Sequence, residues 1–315
     1  MADNRATRFV NGVPYERLSI AVEGGELAAG RWGEGRKVVL ASHGITANHM
    51  SWQAVAETLF RHSEGEVSLL ALDHRGRAGS AGVSGPWGLS RHADDLARVL
   101  DHAGVDSAVV AGHSMGAFVA ALFAENCPSR CEALLLLDGG LPIPLPLPPG
   151  DIDVEALVRA VIGPALARLE HHWPDIEAYV ADFAEHPAFQ PPNRFSDAAD
   201  AYVRHDAVVG ADGKVRSSVV REAVLEDGGA VIIDPELARA IERINTRTEF
   251  LWAPRGLVDQ VPGLYSPEYL KAYLPTLAHV QSSQVEDCNH YTILVGEEEA
   301  GIVALHLLAL AGLSA

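Results

Sequence analysis

The chain is poor in the features that tie a protein to an oxidising compartment, a membrane or a polyanion. It has three cysteines, Cys127, Cys131 and Cys288, in 315 residues, too few for a disulfide framework. Pro128 and Ser129 separate Cys127 from Cys131, so this pair reads as a helix end and not as a metal-binding knuckle. Basic residues are scarce, with 24 Lys and Arg against 42 Asp and Glu and a formal net charge of -18. Nucleic acid and anionic membranes need basic patches, so neither is expected as a partner, and the acidity serves solubility. Met1 to Arg5 shows no apolar core of a signal peptide, and no apolar run reaches the roughly 20 residues of a membrane span. A cytoplasmic location is expected. Internal repeats and low-complexity tails are also missing.

What remains is a globular composition, 48% hydrophobic, long enough to bury a large core. Leu18, Ile20 and Val22 alternate, Glu23-Gly24-Gly25 turns, and Leu27-Ala28-Ala29 returns, which predicts a hairpin within Tyr15 to Trp32. From Lys37 onward, short β-branched or leucine-rich runs alternate with helical patterns. The strands are Val38–Ala41, Val67–Asp73, Ser107–Ala111 and Ala133–Gly140. The helices run from about Ser51 to Arg61, from Leu89 to Ala103, and from Ala117 to Asn126. This order requires a mostly parallel sheet with right-handed crossovers and helices on both faces.

After Gly140 the alternation stops. Leu141 to Gly150 carries five prolines and reads as a stiff linker leaving the sheet. Helical segments follow at Val154–Leu169, Asp175–Glu185, Asp197–Val209 and Pro235–Ile244. The strand pattern resumes at Thr248–Ala253 and Val280–Val285, and a closing helix runs from about Thr292 to Leu313. The expected organisation is a core of residues 1–140 and 246–315 with an inserted cap of residues 141–245.

Gly112-His113-Ser114-Met115-Gly116 lies between a buried strand and a helix. Gly-x-Ser-x-Gly in that context is a nucleophile elbow, a strained turn that lifts a serine Oγ above the sheet. Glycines flank the serine because a Cβ there would strike the adjacent strand or helix.

The elbow, His43-Gly44, Asp73-His74-Arg75-Gly76-Arg77 and Asn289-His290-Tyr291 together resemble the α/β-hydrolase fold superfamily over nearly the whole chain. The resemblance implies an eight-stranded, mostly parallel sheet with helices on both faces and a mainly helical cap over the serine. It also implies the order nucleophile, acid, histidine, with Ser114 and His290 as nucleophile and base. The Ile45 and Met115 amides fall where the oxyanion donors lie. For the acid, Asp259 after the seventh strand is the first choice and Asp138 after the sixth is the alternative, with Glu286 and Asp287 behind them. Asp73 and Arg75 are expected to brace their loop. His43, Gly44 and His113 are placed around the pocket. Trp173, Tyr179 and Phe183, with Phe195 and Tyr202, either line the pocket or form the core of the cap.

His171-His172 is not expected to hold a metal, since adjacent helix residues face apart. No cofactor is required. The expected chemistry is acyl transfer to water on a small carboxylic ester or lactone. Amide, thioester or C–C cleavage by the same residues, a ligand receptor, a perhydrolase and a cofactor-free oxygenase remain the alternatives. The partner is a small-molecule substrate, and the chain is a monomer or homodimer.

Overall fold

The computed structural model describes residues 8–145 and 153–313. The first residues and the end of the proline-rich stretch, from 146 to 152, lie outside them. Among the described residues nine strands form one sheet in the order β1-β2-β3-β5-β4-β6-β7-β10-β11. These are β1 (Arg8–Val10), β2 (Val13–Val22), β3 (Gly25–Trp32), β4 (Lys37–Ser42), β5 (Val67–Leu72), β6 (Ala108–His113), β7 (Cys131–Leu137), β10 (Thr248–Trp252) and β11 (Val280–Gln284). Eight of them match the sequence reading; the three-residue β1 is an antiparallel addition at one edge. The first three strands pair antiparallel with one another, β3 joins β5 antiparallel, and all pairs from β5 to β11 are parallel.

The sheet is covered on both faces. Helices α2 (Leu89–Ala103) and α3 (Met115–Asn126) pack Leu96, Val99, Phe118 and Leu122 with Leu40, Leu70 and Val110 in one apolar layer. On the other face α1 (Gln53–His62) and α12 (Glu297–Leu310) bring Val55, Leu59, Val303 and Leu307 against Val39, Val109 and Leu135. α3 buries residues all round, from Met115 to Ala124, as expected of a helix enclosed on every side. The closing helical stretch is split at Gly296 into α11 (Thr292–Val295) and α12.

Between β7 and β10 the chain forms α4 (Val154–Arg168), α5 (Ile176–Ala184), α6 (Asp197–Asp206), the hairpin β8 (Ala207–Val209) and β9 (Val215–Ser217), then α7 (Arg221–Ile233), α8 (Pro235–Ala238) and α9 (Ala240–Arg243); α10 (Pro267–Tyr273) follows β10. The hairpin ends the predicted 197–209 helix at Asp206. Helix α7 has no counterpart in the sequence reading, because Gly228-Gly229 interrupts its pattern. Those glycines serve packing: a Cβ on Gly228 would lie 3.0 Å from Val158 on α4 and 3.1 Å from Ile45. α4 and α7 share an apolar cluster of Val158, Ile162, Ala165, Leu166, Val219 and Val224, against which Ile45 and Leu257 pack. Among the described residues no helix is long and apolar enough to cross a membrane.

Candidate active site

Parallel strands end together, so residues that follow them meet in one crevice at the C-terminal edge of the sheet. Ser42 pairs with Gly112 across β4 and β6, and His113 pairs with Leu137 across β6 and β7. The residues just beyond, His43-Gly44, Ser114 and Asp138, are therefore neighbours. Ser114 has φ 56° and ψ −124°, a conformation costly for a residue with a Cβ and typical of a functional constraint. It is held there by its N–H, which donates to Leu137 O at 2.9 Å. Close packing explains the glycines: a Cβ on Gly112 would lie 2.2 Å from Gly116 O, and one on Gly116 would lie 2.3 Å from Ser42 O.

His290, in the loop after β11, is buried, and its Nδ1 donates to Asp138 Oδ2 at 2.7 Å. That bond orients the ring and leaves Nε2 to take or give a proton. Asp138 is fully buried, and its Oδ1 also accepts from the Ala253 amide at 3.3 Å. The carboxylate bonded to His290 is thus the alternative acid of the sequence reading, Asp138, and not the first choice, Asp259. Asp259 Oδ1 accepts from Arg255 Nε at 2.8 Å and from Asn193 and Asn289 Nδ2 at 2.9 Å each. Asp259 lies later in its loop than a strand-end residue, and its bonds reach the residue before His290, not the imidazole. The signal for Asp138 was Gly139: a Cβ there would lie 2.2 Å from Ser114 O, so this glycine lets the end of β7 abut the elbow.

The neighbouring histidines are neutral supports. His113 Nε2 donates to His290 O at 2.8 Å, and burial, with the charge of His290 adding to it, holds its pKa well below the ordinary value. His43 Nδ1 donates to Gly44 O at 2.7 Å, its Nε2 accepts the His74 amide at 2.9 Å, and burial brings its pKa down to about 3. His43 thus braces the Gly44 loop and does not line the cavity. As read from sequence, Asp73 and Arg75 are braces. Arg75 grips Asp95 through Nε at 2.6 Å and Nη2 at 2.9 Å. Asp73 accepts from the His49 amide and Nδ1, from Gly79 N and from His205 Nε2 on α6. His49, Asp73 and His205 have the composition of a metal-binding group, but these four bonds already occupy the carboxylate.

Two apolar lobes meet at Ser114 and His290, sharing Ile45, Ile162 and Leu257. One runs past Gly44, His113, Ala165, Tyr202, Tyr291 and Val295. The other runs past Met115, Phe118, Val158, Val161, Val231 and Ile232. Trp173, Tyr179 and Phe183 are absent from both. They cluster with Phe189, Tyr202 and Val215 as the core of the inserted segment, because a small helical layer needs its large rings to hold itself together. The lining from α4 and α7 was missed in sequence, where aliphatic residues at helical spacing look like any core face.

Ile45 and Thr46 are the central residues of a turn closed by Ala47 N donating to Gly44 O at 3.0 Å. The Ile45 amide donates to no backbone acceptor among the described residues. Met115 heads α3, where the first N–H groups have no intrahelical acceptor.

Comparison with known proteins agrees with this fold. A profile of the alpha/beta hydrolase fold matches residues 37–167. Lipase LipV of Mycobacterium tuberculosis is 30% identical over 162 residues, 50% of this chain and 60% of that protein. A RutD protein of Azorhizobium caulinodans, named for carbamate hydrolysis, is 33% identical over 101 residues, 32% of this chain and 37% of its own length. Both matches thus span less than two thirds of the relative. Among solved structures, E-2-(acetamidomethylene)succinate hydrolase superposes with a TM-score of 0.70 at 19% identity, covering 93% of this chain and 99% of that one. A thermophilic esterase from Thermogutta terrifontis does so with a TM-score of 0.63 at 20% identity, covering 94% and 98%. The sheet order, the serine turn and these matches together show that the chain has the α/β-hydrolase fold.

Proposed function

We propose that the protein is a serine hydrolase that cleaves a small, uncharged carboxylic ester or lactone through Ser114, His290 and Asp138. The observation that carries the reading is the buried 2.7 Å bond from His290 Nδ1 to Asp138 Oδ2 beside a serine held at positive φ. Ser114 Oγ attacks the carbonyl carbon while His290 Nε2 takes its proton, and Asp138 stabilises the imidazolium. The Ile45 and Met115 amides receive the developing oxyanion, each donor contributing about 3 kcal/mol in a water-poor site. Collapse expels the alcohol, which leaves with the proton from His290. Water, deprotonated by the same imidazole, then releases the carboxylic acid and restores Ser114.

An ester has substituents on both sides of its carbonyl, and the two lobes supply one apolar compartment for each. Among the described residues no Lys, Arg, Asp or Glu lines either lobe, which favours uncharged substituents, since burying an unpaired charge is costly. The cap, residues 141–245, walls both compartments with α4, and with α7 on one side. No step calls for a cofactor, and the substrate is the one partner the mechanism requires. The test is turnover of short p-nitrophenyl esters, γ- and δ-lactones, a thioester, an amide and a carbamate by wild type and Ser114→Ala. Ester or lactone turnover abolished by the substitution is the expected result. Turnover confined to the carbamate or amide would move the substrate class, and turnover surviving in Ser114→Ala would remove the mechanism.

A further inference from the structure

Arg77, in the loop after β5, is fully buried. Its Nε donates to Ile45 O at 2.9 Å, and its Nη1 donates to Arg75 O at 2.8 Å and pairs with Asp227 Oδ2 at 2.6 Å. Ile45 O belongs to the central peptide of the Gly44–Ala47 turn, the unit that rotates when a β-turn changes type. The turn therefore cannot rotate there without breaking the bond to Arg77. Asp227 comes from α7 in the inserted segment, and it also accepts from Gly88 N at 2.8 Å and His92 Nε2 at 2.9 Å. Burial alone would raise its carboxyl, but Arg77 and His92 outweigh burial and hold it well below the usual carboxylate range. Gly228, the next residue, sits where an added Cβ would come within 3.1 Å of Ile45 Cδ1. Two consecutive residues of α7 thus bear on Ile45, one through Arg77 onto its carbonyl and one directly on its side chain.

We infer that Arg77 and Asp227 are positioning residues that hold the Ile45 turn in its oxyanion-binding conformation and so make the reaction depend on the seating of α7. The inference rests on the reading of the Ile45 amide as an oxyanion donor. An ion pair that merely docks the insertion would act on stability; one that sets the turn acts on the transition state. Arg77→Lys separates the two, because lysine keeps a charge for Asp227 and loses the planar fork that reaches Ile45 O and Asp227 together.

The experiment measures kcat and KM for p-nitrophenyl butyrate per Ser114 site titrated with a fluorophosphonate, Ki for a butylboronic acid that forms a tetrahedral serine adduct, and Tm. For Arg77→Lys the expected result is a fall in kcat of about ten- to hundredfold with KM within about threefold, since small misplacements of reacting groups cost rates of that order. Boronate affinity is expected to weaken in step with kcat. Asp227→Asn alone leaves Arg77 charged, buried and without its counter-ion, and is expected to fold poorly. The double variant Arg77→Met/Asp227→Asn removes the charge from both sides while keeping an acceptor for Gly88 N, and is expected to fold with the same loss of kcat. A folded Arg77→Lys or double variant with kcat per site within threefold of wild type would overturn the inference. A wild type that neither turns over esters nor labels at Ser114 would overturn the hydrolase reading and this inference with it.

Discussion

Strands β7 and β10 each give way to a loop carrying an aspartate at positive φ, Asp138 at 42° and Asp259 at 62°, yet the two carboxylates live in different surroundings. Asp138 directly follows its strand, is wholly buried, and meets one imidazole and one backbone amide. The Asp259 side chain is 22% exposed, pairs with an arginine, and receives two asparagine amides, one of them from the inserted segment. Both could be paired with a histidine on paper. The difference lies in what each could do for an imidazolium: a dry carboxylate stabilises it strongly, whereas one already neutralised by Arg255 offers little.

That contrast can be broken in four ways, beginning with the largest effect. Ser114→Ala is expected to remove essentially all ester turnover, by about 10⁴-fold or more in kcat, measured with the enzyme otherwise folded by circular dichroism. Asp138→Asn should lower kcat by about 10³- to 10⁴-fold, because an amide no longer fixes the imidazole tautomer or its charge. Asp259→Asn should leave kcat within about fivefold and cost about 1 kcal/mol in denaturant unfolding, the scale of a partly exposed ion pair and its hydrogen bonds. If the two aspartate variants exchanged these phenotypes, Asp259 would be the acid after all.

The fourth test uses pH. Burial holds His43, His74 and His113 below the ordinary histidine value of 6.5, with nearby charges of the same sign adding to the effect for His74 and His113. Their folded values are depressed, so the unfolded chain takes up protons first as pH falls. Stability is full above about pH 6.5 and declines below it at about 1.4 kcal/mol per pH unit for each such histidine. The decline for His43 continues to about 3. Asp259 behaves differently. Burial would raise it, but Asn289, Arg255 and Asn193 lower it below 3.8, so its contribution is intact above about pH 4 and disappears only in stronger acid. Melting scans from pH 8 to 5 should therefore show Tm falling in wild type and Asp259→Asn alike. A flat profile over that range would contradict the burial of neutral imidazoles around the elbow.

The same contrast explains what the sequence disclosed. The sheet, the serine turn and the His290 loop are written in local signals: apolar runs of strand length, glycines where backbones touch, and alternation of strand and helix. The choice between Asp138 and Asp259 depends on which strand end the His290 loop crosses, a contact spanning 152 residues, and no local pattern encodes it. Gly139 was the one nearby clue. In the inserted segment, Trp173, Tyr179 and Phe183 drew attention as rings, while the aliphatic faces of α4 and α7 form the walls. Gly228-Gly229 hid α7 as a helix, and with it Asp227.

The most direct test of the central claim is the rate of Ser114 modification by a fluorophosphonate, followed by intact mass and peptide mapping, in wild type, Asp138→Asn and Asp259→Asn. The account predicts a single adduct on Ser114, formed at least about a hundredfold more slowly in Asp138→Asn and at a near wild-type rate in Asp259→Asn. Equal labelling of wild type and Asp138→Asn, or an adduct on another residue, would contradict it.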